Sequence, residues 1–366
     1  MPGPGDLSPR EAKERFLDRR RTESSEKTVQ SYHYRLKRFV EWAEDEGIES
    51  VRELSGWLLD EFETYRRGEG IASTTLNGEM QTVSVWVEYL ASIDAVDPDL
   101  PEKVHVPEVP DGEESRDEIL EHERGLKAIE TYRNDPERYG SNHHAFLELA
   151  WFTGARLGAL RALDLRDYHS DDQFVFFQHR PRSGTPLKND SDGERAVGLP
   201  EPVSDVLDHY VQNNRWDQHD DHGRQPLLTT RRSRASENTL RTWSYLATMP
   251  CLYRDCPHGR ERDTCDYIHV HHASKCPSSR SPHPIRHGSI TWQRDRGIPA
   301  EIVAKRVNAS IETIEKYYDE ATERQRLEER RRPFLSRLSL DPEESPASNA
   351  GETQSNTNEI TTHDAI

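Results

Sequence analysis

The sequence predicts a mainly α-helical chain with a small β-hairpin or sheet, an α+β fold, divided into two domains. Segments of helix length, with apolar residues three or four positions apart, fill most of residues 8–97. A proline-rich stretch follows at 98–114, and two strand-like runs interrupt the helical pattern of the second half. A length of 366 residues suits two domains with tails.

We place the domain boundaries where these patterns change. The predicted segments are a disordered N-terminus at 1–7, a helical bundle at 8–97, a linker at 98–114, a second domain at 115–337 with an insertion at 250–277, and a disordered acidic tail at 338–366. The tail lacks hydrophobic periodicity, so it has no apolar face to bury.

The N-terminal bundle begins at Ser8, which suits a helix cap, followed by Pro9 in the first turn. A second helix is expected from about 24 to 46, because its apolar residues share one face, and Gly47 ends it. Further helices are predicted at 57–68 and 73–92. Ser73 opens the last of these, either as an ordinary cap or as a phosphate contact at a helix N-terminus.

In the second domain, an apolar helix runs into Gly154, and a leucine pattern from 157 to 165 predicts another helix after it. Arg156 falls at the break between the two helices. A side chain at such a break can point into a cleft, although an arginine there also commonly caps the carbonyls of the preceding helix.

Lys188 lies between the strand-like runs at 173–179 and 195–199, in a segment rich in Gly, Asp and Ser that predicts a β-hairpin with a long loop. A loop lysine is ordinarily a solvated surface residue. Only 9 of the 49 basic residues are lysines, however, so a lysine rather than an arginine at this position indicates a specific role. An ammonium can give up a proton during catalysis, which a guanidinium cannot do.

His283 and Arg286 lie three positions apart, so one helical turn places both side chains on the same face. A guanidinium forks onto two phosphate oxygens while an imidazole moves a proton, which suits a phosphodiester. About thirty residues later come Tyr317 and Tyr318, either of which can supply a nucleophilic hydroxyl. Alone, the His-x-x-Arg pattern is mostly structural.

Taken in order, Arg156, Lys188, His283, Arg286 and the tyrosine pair resemble the active-site signature of the tyrosine recombinases, the lambda-integrase and Xer-like family. The resemblance implies an N-terminal SAM-like core-binding domain and a catalytic domain at 115–337. It also implies a site-specific recombinase that cleaves and rejoins DNA through a 3′-phosphotyrosyl intermediate, with no cofactor for catalysis.

In this resemblance the two arginines clamp the phosphate, His283 assists proton transfer and Lys188 protonates the leaving 5′ oxygen. Two positions depart from the family pattern. Asn308 stands where members have His or Trp, and Ala159 stands where an acidic residue usually holds the first arginine, so Arg156 needs another partner. These departures keep open an alternative, a non-catalytic zinc-containing DNA-binding regulator with the recombinase fold.

The nucleophile is assigned to Tyr318, with Tyr317 as the alternative. Family members place the tyrosine nine or ten residues after the His or Trp position, which allows either residue here. We favour Tyr318 because Asp319 follows it, as in members whose nucleophile precedes an acidic or small polar residue.

All four cysteines fall in the insertion, at Cys251, Cys256, Cys265 and Cys276. The segment is turn-rich and cannot bury a core of its own, so a structural Zn²⁺ held by the four thiolates is expected to supply folding energy. His258 or His269 can replace one cysteine. Two disulfides are the alternative, but without a secretory signal the chain is expected in the cytoplasm, where thiols favour metal.

The net charge of −18 has the wrong sign for a DNA-binding protein, and residues 1–123 alone carry −15 from 15 basic and 30 acidic side chains. Such acidity with little lysine resembles proteins of salt-loving archaea, and molar salt shortens the Debye length to about 3 Å.

Expected partners are double-stranded DNA, three further copies in a homotetramer on paired sites, and an accessory DNA-bending or directionality factor. No apolar run reaches the roughly 18 residues of a membrane helix.

Overall fold

The computed structural model describes residues 6–110 and 118–317, together with the isolated positions 327, 332 and 335. The predicted tail at 338–366 and the first five residues lie outside the described part. The chain divides into two units, residues 1–117 and 118–366, and each is described by itself.

In residues 6–110, the first unit is a bundle of four helices: α1 (Pro9–Glu23), α2 (Glu26–Asp45), α3 (Gly56–Gly68) and α4 (Ser73–Ser92). A reciprocal capping box begins α1, since the Ser8 hydroxyl accepts from the Glu11 N–H and the Glu11 carboxylate accepts from the Ser8 N–H. The cap of α4 is Ala72, without a side-chain hydrogen bond, so Ser73 is not an ordinary cap. Its phosphate contact stays a prediction.

Aromatic rings join three of these helices at the centre of the bundle. The Phe39 ring of α2 lies 4.9 Å from that of Phe62 in α3 and 5.3 Å from that of Trp86 in α4, both edge-on. All three side chains are fully buried. Edge-to-face pairs of this kind stabilise a core beyond the area that they bury.

Residues 118–317 of the second unit form eight helices and one small sheet. Its helices are α5 (His122–Asn134), α6 (Asn142–Thr153), α7 (Leu157–Ala162), α8 (Glu201–His209), α9 (Glu237–Ala247), α10 (Pro282–Asp295), α11 (Ala300–Val307) and α12 (Ile311–Tyr317). The strands are β1 (Tyr168–His169), β2 (Phe174–Phe177) and β3 (Arg195–Gly198), antiparallel in that order. The predicted hairpin is therefore present as β2 and β3, paired with Val175 opposite Val197.

Helix α6 lies at the centre of this unit, because every residue from His144 to Trp151 is buried. A helix that is apolar on all sides must be covered on all sides. Among the described residues, no helix combines the length and apolar character needed to cross a membrane.

One carboxylate is buried inside α6. Glu148 is 0% exposed and accepts from Arg133 Nε at 2.7 Å and Nη2 at 2.9 Å. The buried His144 ring lies 3.1 Å from the same carboxylate, while its Nδ1 accepts from the Gly140 N–H at 3.0 Å. The ring proton therefore sits on Nε2 and is donated to Glu148. The carboxylate ties α5 to α6.

We expect Glu148→Ala to lower the free energy of unfolding by about 3–5 kcal/mol, because it leaves Arg133 and the buried His144 without their acceptor. Chemical denaturation of the full chain measures the change. The matched control is Glu130→Ala on α5, whose surface pair with Lys127 is exposed and contributes about 0–1 kcal/mol. A Glu148→Ala midpoint equal to that of the control would contradict the assignment.

Candidate active site

The break after α6 places Arg156 as the sequence predicts, between two helices. Gly154 ends α6 in the left-handed region, with φ 58°, and Arg156 is the extended N-cap residue of α7. A Cβ on Gly154 would also lie 2.8 Å from Cγ1 of Val307. Glycine is therefore required twice, by the backbone conformation and by the close approach of α11.

Helix α10 carries the His-x-x-Arg pair in its first turns, with Ser281 as the N-cap residue and Pro282 directly after it. The Arg286 side chain is only 3% exposed, and its Nη1 donates to the carbonyl oxygens of Gly154 at 2.6 Å and Val307 at 2.7 Å. These two bonds fix the guanidinium between the end of α6 and the end of α11.

The His283 imidazole lies three positions before Arg286 on the same helix. Partial burial lowers its pKa, and the positive charges around it act in the same direction. Arg286 contributes the largest of these charges, and Arg156 and Lys188 contribute smaller ones. With its pKa below the ordinary 6.5, the ring is neutral at pH 7 and able to accept a proton.

The C-terminal end of α11 holds three guanidiniums. Helix ends leave their last carbonyls without helical partners and with partial negative charge. Here the carbonyls of three successive residues, Arg306, Val307 and Asn308, accept from Arg195, Arg286 and Arg156 respectively. A carbonyl fixes a guanidinium without cancelling its formal charge.

Arg156 thus obtains the partner that Ala159 cannot provide. Its Nη1 donates to the carbonyl of Asn308. Asn308 has φ 54° and ψ 66°, a left-handed conformation that ends α11 and that asparagine tolerates better than most residues. The backbone of Asn308 therefore replaces the acidic side chain that the family pattern places near the first arginine.

Sequence reasoning missed Arg195, which begins β3. Its guanidinium lies 4.3 Å from the centre of the Phe177 ring, and Nε donates to the Arg306 carbonyl at 2.6 Å. Burial lowers the pKa of Arg195 to about 9, and the charges of neighbouring arginines act in the same direction, yet it stays protonated at pH 7. With 40 arginines among the 49 basic residues, composition offered no signal that would single it out.

Lys188 lies in the β2–β3 loop as predicted, with its side chain exposed. The next residue, Asn189, donates from Nδ2 to Oδ1 of Asn308 at 3.0 Å. This bond connects the lysine loop to the end of α11, where the arginines are held.

The nucleophile is only partly described. Ser310 caps α12, its hydroxyl accepting from the Thr313 N–H at 3.1 Å, and the helix reaches Tyr317. Tyr318 lies outside the described residues. The assignment of the nucleophile therefore stays a prediction.

The structure does not assemble the predicted zinc site. Within the described ranges, no three His, Cys, Asp or Glu side chains are grouped so that they could hold a metal ion. The four cysteines, all in those ranges, are free thiols. Cys251 Sγ accepts from Arg262 at 3.1 Å, and Nε2 of His258 lies 2.9 Å from the Ser278 hydroxyl. The residues as placed do not fit a zinc ion, and the knuckle stays a prediction of the sequence.

Comparison with known proteins identifies relatives of the first unit by sequence. The family described as phage integrase, N-terminal SAM-like domain, matches residues 14–92. The N-terminal domain of a phage integrase/site-specific recombinase from Haloarcula marismortui is 60% identical over 28% of this chain and 97% of that chain. Its TM-score is 0.27, so the relationship rests on sequence identity. Among curated proteins, none matches.

Two integrases share the fold over most of the chain. The Tn1549 transposon integrase in complex with circular intermediate DNA has a TM-score of 0.62 at 14% identity, covering 91% of this chain and 100% of that chain. A lambda integrase dimer bound to a core site has a TM-score of 0.58 at 14% identity, covering 86% and 78%. The predicted fold class, mainly helical with a small sheet, is confirmed.

Proposed function

The chain belongs to the phage integrase family, the tyrosine recombinases, and we therefore propose that it is a site-specific DNA recombinase. In this proposal it cleaves and rejoins DNA strands through a 3′-phosphotyrosyl intermediate. The observation that carries the proposal is that Arg156 and Arg286 are bonded to successive carbonyls at the end of α11, with His283 one helical turn before Arg286 on α10.

The two arginines have the chemistry to hold one phosphodiester. Both are bonded to carbonyls at the end of α11, and a guanidinium has a fork of N–H donors whose geometry suits the non-bridging oxygens of a phosphate. They stabilise the charge that builds up in the pentacoordinate transition state. Asn308, whose Oδ1 is engaged by Asn189, can add a neutral donor from Nδ2.

In the cleavage step, the Tyr318 hydroxyl oxygen attacks phosphorus, and the phosphorus–O5′ bond breaks. The tyrosine proton passes toward His283, and Lys188 gives a proton to the departing 5′ oxygen. The new phosphotyrosyl ester keeps the energy of the broken ester, so a 5′ hydroxyl from a second strand can reverse the step and join the strands.

The proposed partner is double-stranded DNA, bound by a homotetramer on paired sites, with an accessory DNA-bending or directionality factor. The Tn1549 and lambda integrases were both seen with DNA bound. The expectation of a saline cytosol, drawn from the net charge of −18, stays a prediction and sets the salt at which binding is measured.

The test has two stages, since the target sequence is not known. The full chain first enriches its binding sites from random duplexes in molar salt. An enriched site is then supplied as a nicked duplex, from which the strand end diffuses away after cleavage and so traps the covalent complex. We expect a denaturation-resistant protein–DNA complex from the nicked duplex. Enrichment of a site without any covalent complex would favour the non-catalytic regulator instead.

A further inference from the structure

The first half of the β2–β3 loop is pinned to the body of the second unit. Arg180 and Thr185 exchange both backbone hydrogen bonds at 3.1 Å. The Arg180 guanidinium pairs with Asp167, with Nη1 2.8 Å from Oδ2, and Arg224 donates to the Thr185 hydroxyl at 2.9 Å. This half of the loop is therefore a small rigid turn.

The second half carries Lys188 and is held differently. Leu187 is buried beneath it, and its N–H donates to Nδ1 of His179 at 3.0 Å. Lys188 and Asn189 themselves are exposed. The bond from Asn189 to Oδ1 of Asn308, at 3.0 Å, joins this half to α11 across 119 positions of sequence.

The loop also encloses the Asn308 side chain. A Cβ on Gly193 would lie 2.9 Å from Nδ2 of Asn308 and 3.1 Å from Cβ of Leu187, so a larger residue there would displace the Asn308 side chain. The Gly193 carbonyl in turn accepts from Arg195 Nη1 at 2.8 Å.

Asn308 therefore has two roles at one position. Its carbonyl accepts from Arg156, a phosphate clamp, and its side-chain oxygen accepts from the residue next to Lys188, the general acid. From this geometry we infer that Asn189 is a positioning residue: its bond to Asn308 holds the Lys188 ammonium over the same phosphate that Arg156 clamps. The inference rests on the proposed recombinase function.

If Asn189 positions Lys188, its loss should slow cleavage only when the leaving group needs a proton. An alkoxide leaves only with a proton, whereas a thiolate, whose conjugate acid has a pKa of about 8.5, leaves without one. A duplex with sulfur in place of the bridging 5′ oxygen at the cleavage point thus bypasses the general acid. A residue that only supports the fold or DNA binding would affect both substrates alike.

We expect Asn189→Ala to cleave the ordinary phosphodiester about tenfold to a hundredfold more slowly than the unmodified chain, because a displaced catalytic group costs rate on this scale. On the 5′-bridging phosphorothiolate the variant should stay within about threefold. Lys188→Ala should follow the same pattern with a larger loss. Single-turnover formation of the covalent complex, on both nicked duplexes, gives the rates.

The matched control is Asn213→Ala, which removes an exposed asparagine with one side-chain bond of 3.0 Å, to the His209 carbonyl. It should cleave both duplexes at the rate of the unmodified chain. Equal losses by Asn189→Ala on the two duplexes, or no loss on either, would overturn the inference. Failure of the unmodified chain to form a complex on both duplexes would instead overturn the proposed function, and the inference with it.

Discussion

Tyr318→Phe is expected to abolish the covalent protein–DNA complex, whereas Tyr317→Phe is expected to retain it. Only one hydroxyl can attack phosphorus in line with the leaving 5′ oxygen, so only one of the two adjacent tyrosines can be the nucleophile. Helix α12 reaches Tyr317. Phenylalanine removes only the hydroxyl oxygen that would attack phosphorus.

The measurement is trapping on the nicked duplex, followed by mass analysis of the peptide that carries the nucleotide. In the unmodified chain we expect the nucleotide on the peptide at Tyr318, the same residue whose replacement by phenylalanine removes the complex. If Tyr317→Phe alone removes the complex, the nucleophile is Tyr317 and our assignment is wrong. Binding of both variants to the enriched duplex, measured without nicks, serves as the control for folding.

Arg286→Lys is expected to slow cleavage by about a hundredfold to a thousandfold, the usual cost of losing one donor to a transition-state oxyanion. Arg286 is 3% exposed, and its Nη1 is bonded to the carbonyls of Gly154 and Val307. A lysine keeps the charge but has a single nitrogen, so it cannot bond these carbonyls and still fork onto phosphate.

Single-turnover cleavage gives the size of the loss, and the denaturation midpoint shows whether the variant is folded. Arg241→Lys on α9 is the control, since its side chain is 46% exposed and its partners are the neighbouring Glu237 and Asn238. Near-equal rates for the two variants would mean that Arg286 does not contact the reacting phosphate.

The local patterns of the sequence were sufficient for most of the fold. Apolar spacing located α2 and α3 to within two residues, and the start and end of α4 are as predicted. The turn-rich segment around Lys188 correctly predicted a hairpin, although β1 was missed because a two-residue strand has too little periodicity to detect. The zinc prediction rested on four cysteines in one turn-rich segment that cannot bury a core, and such a pattern does not say whether the four thiols meet.

The residue types of the site could also be predicted from the sequence, because an arginine, a lysine and a His-x-x-Arg pair each have a characteristic role in phosphate chemistry. The contacts that hold these residues in place could not be predicted from the sequence. Arg156 is bonded to a carbonyl 152 positions away, and Asn189 to a side chain 119 positions away. Every residue has a backbone carbonyl, so the sequence does not indicate that the three carbonyls at the end of α11 accept hydrogen bonds from three arginines. That role arises because Asn308 turns the backbone left-handed where α6, β3 and α10 approach it, and such a meeting exists only once the chain has folded.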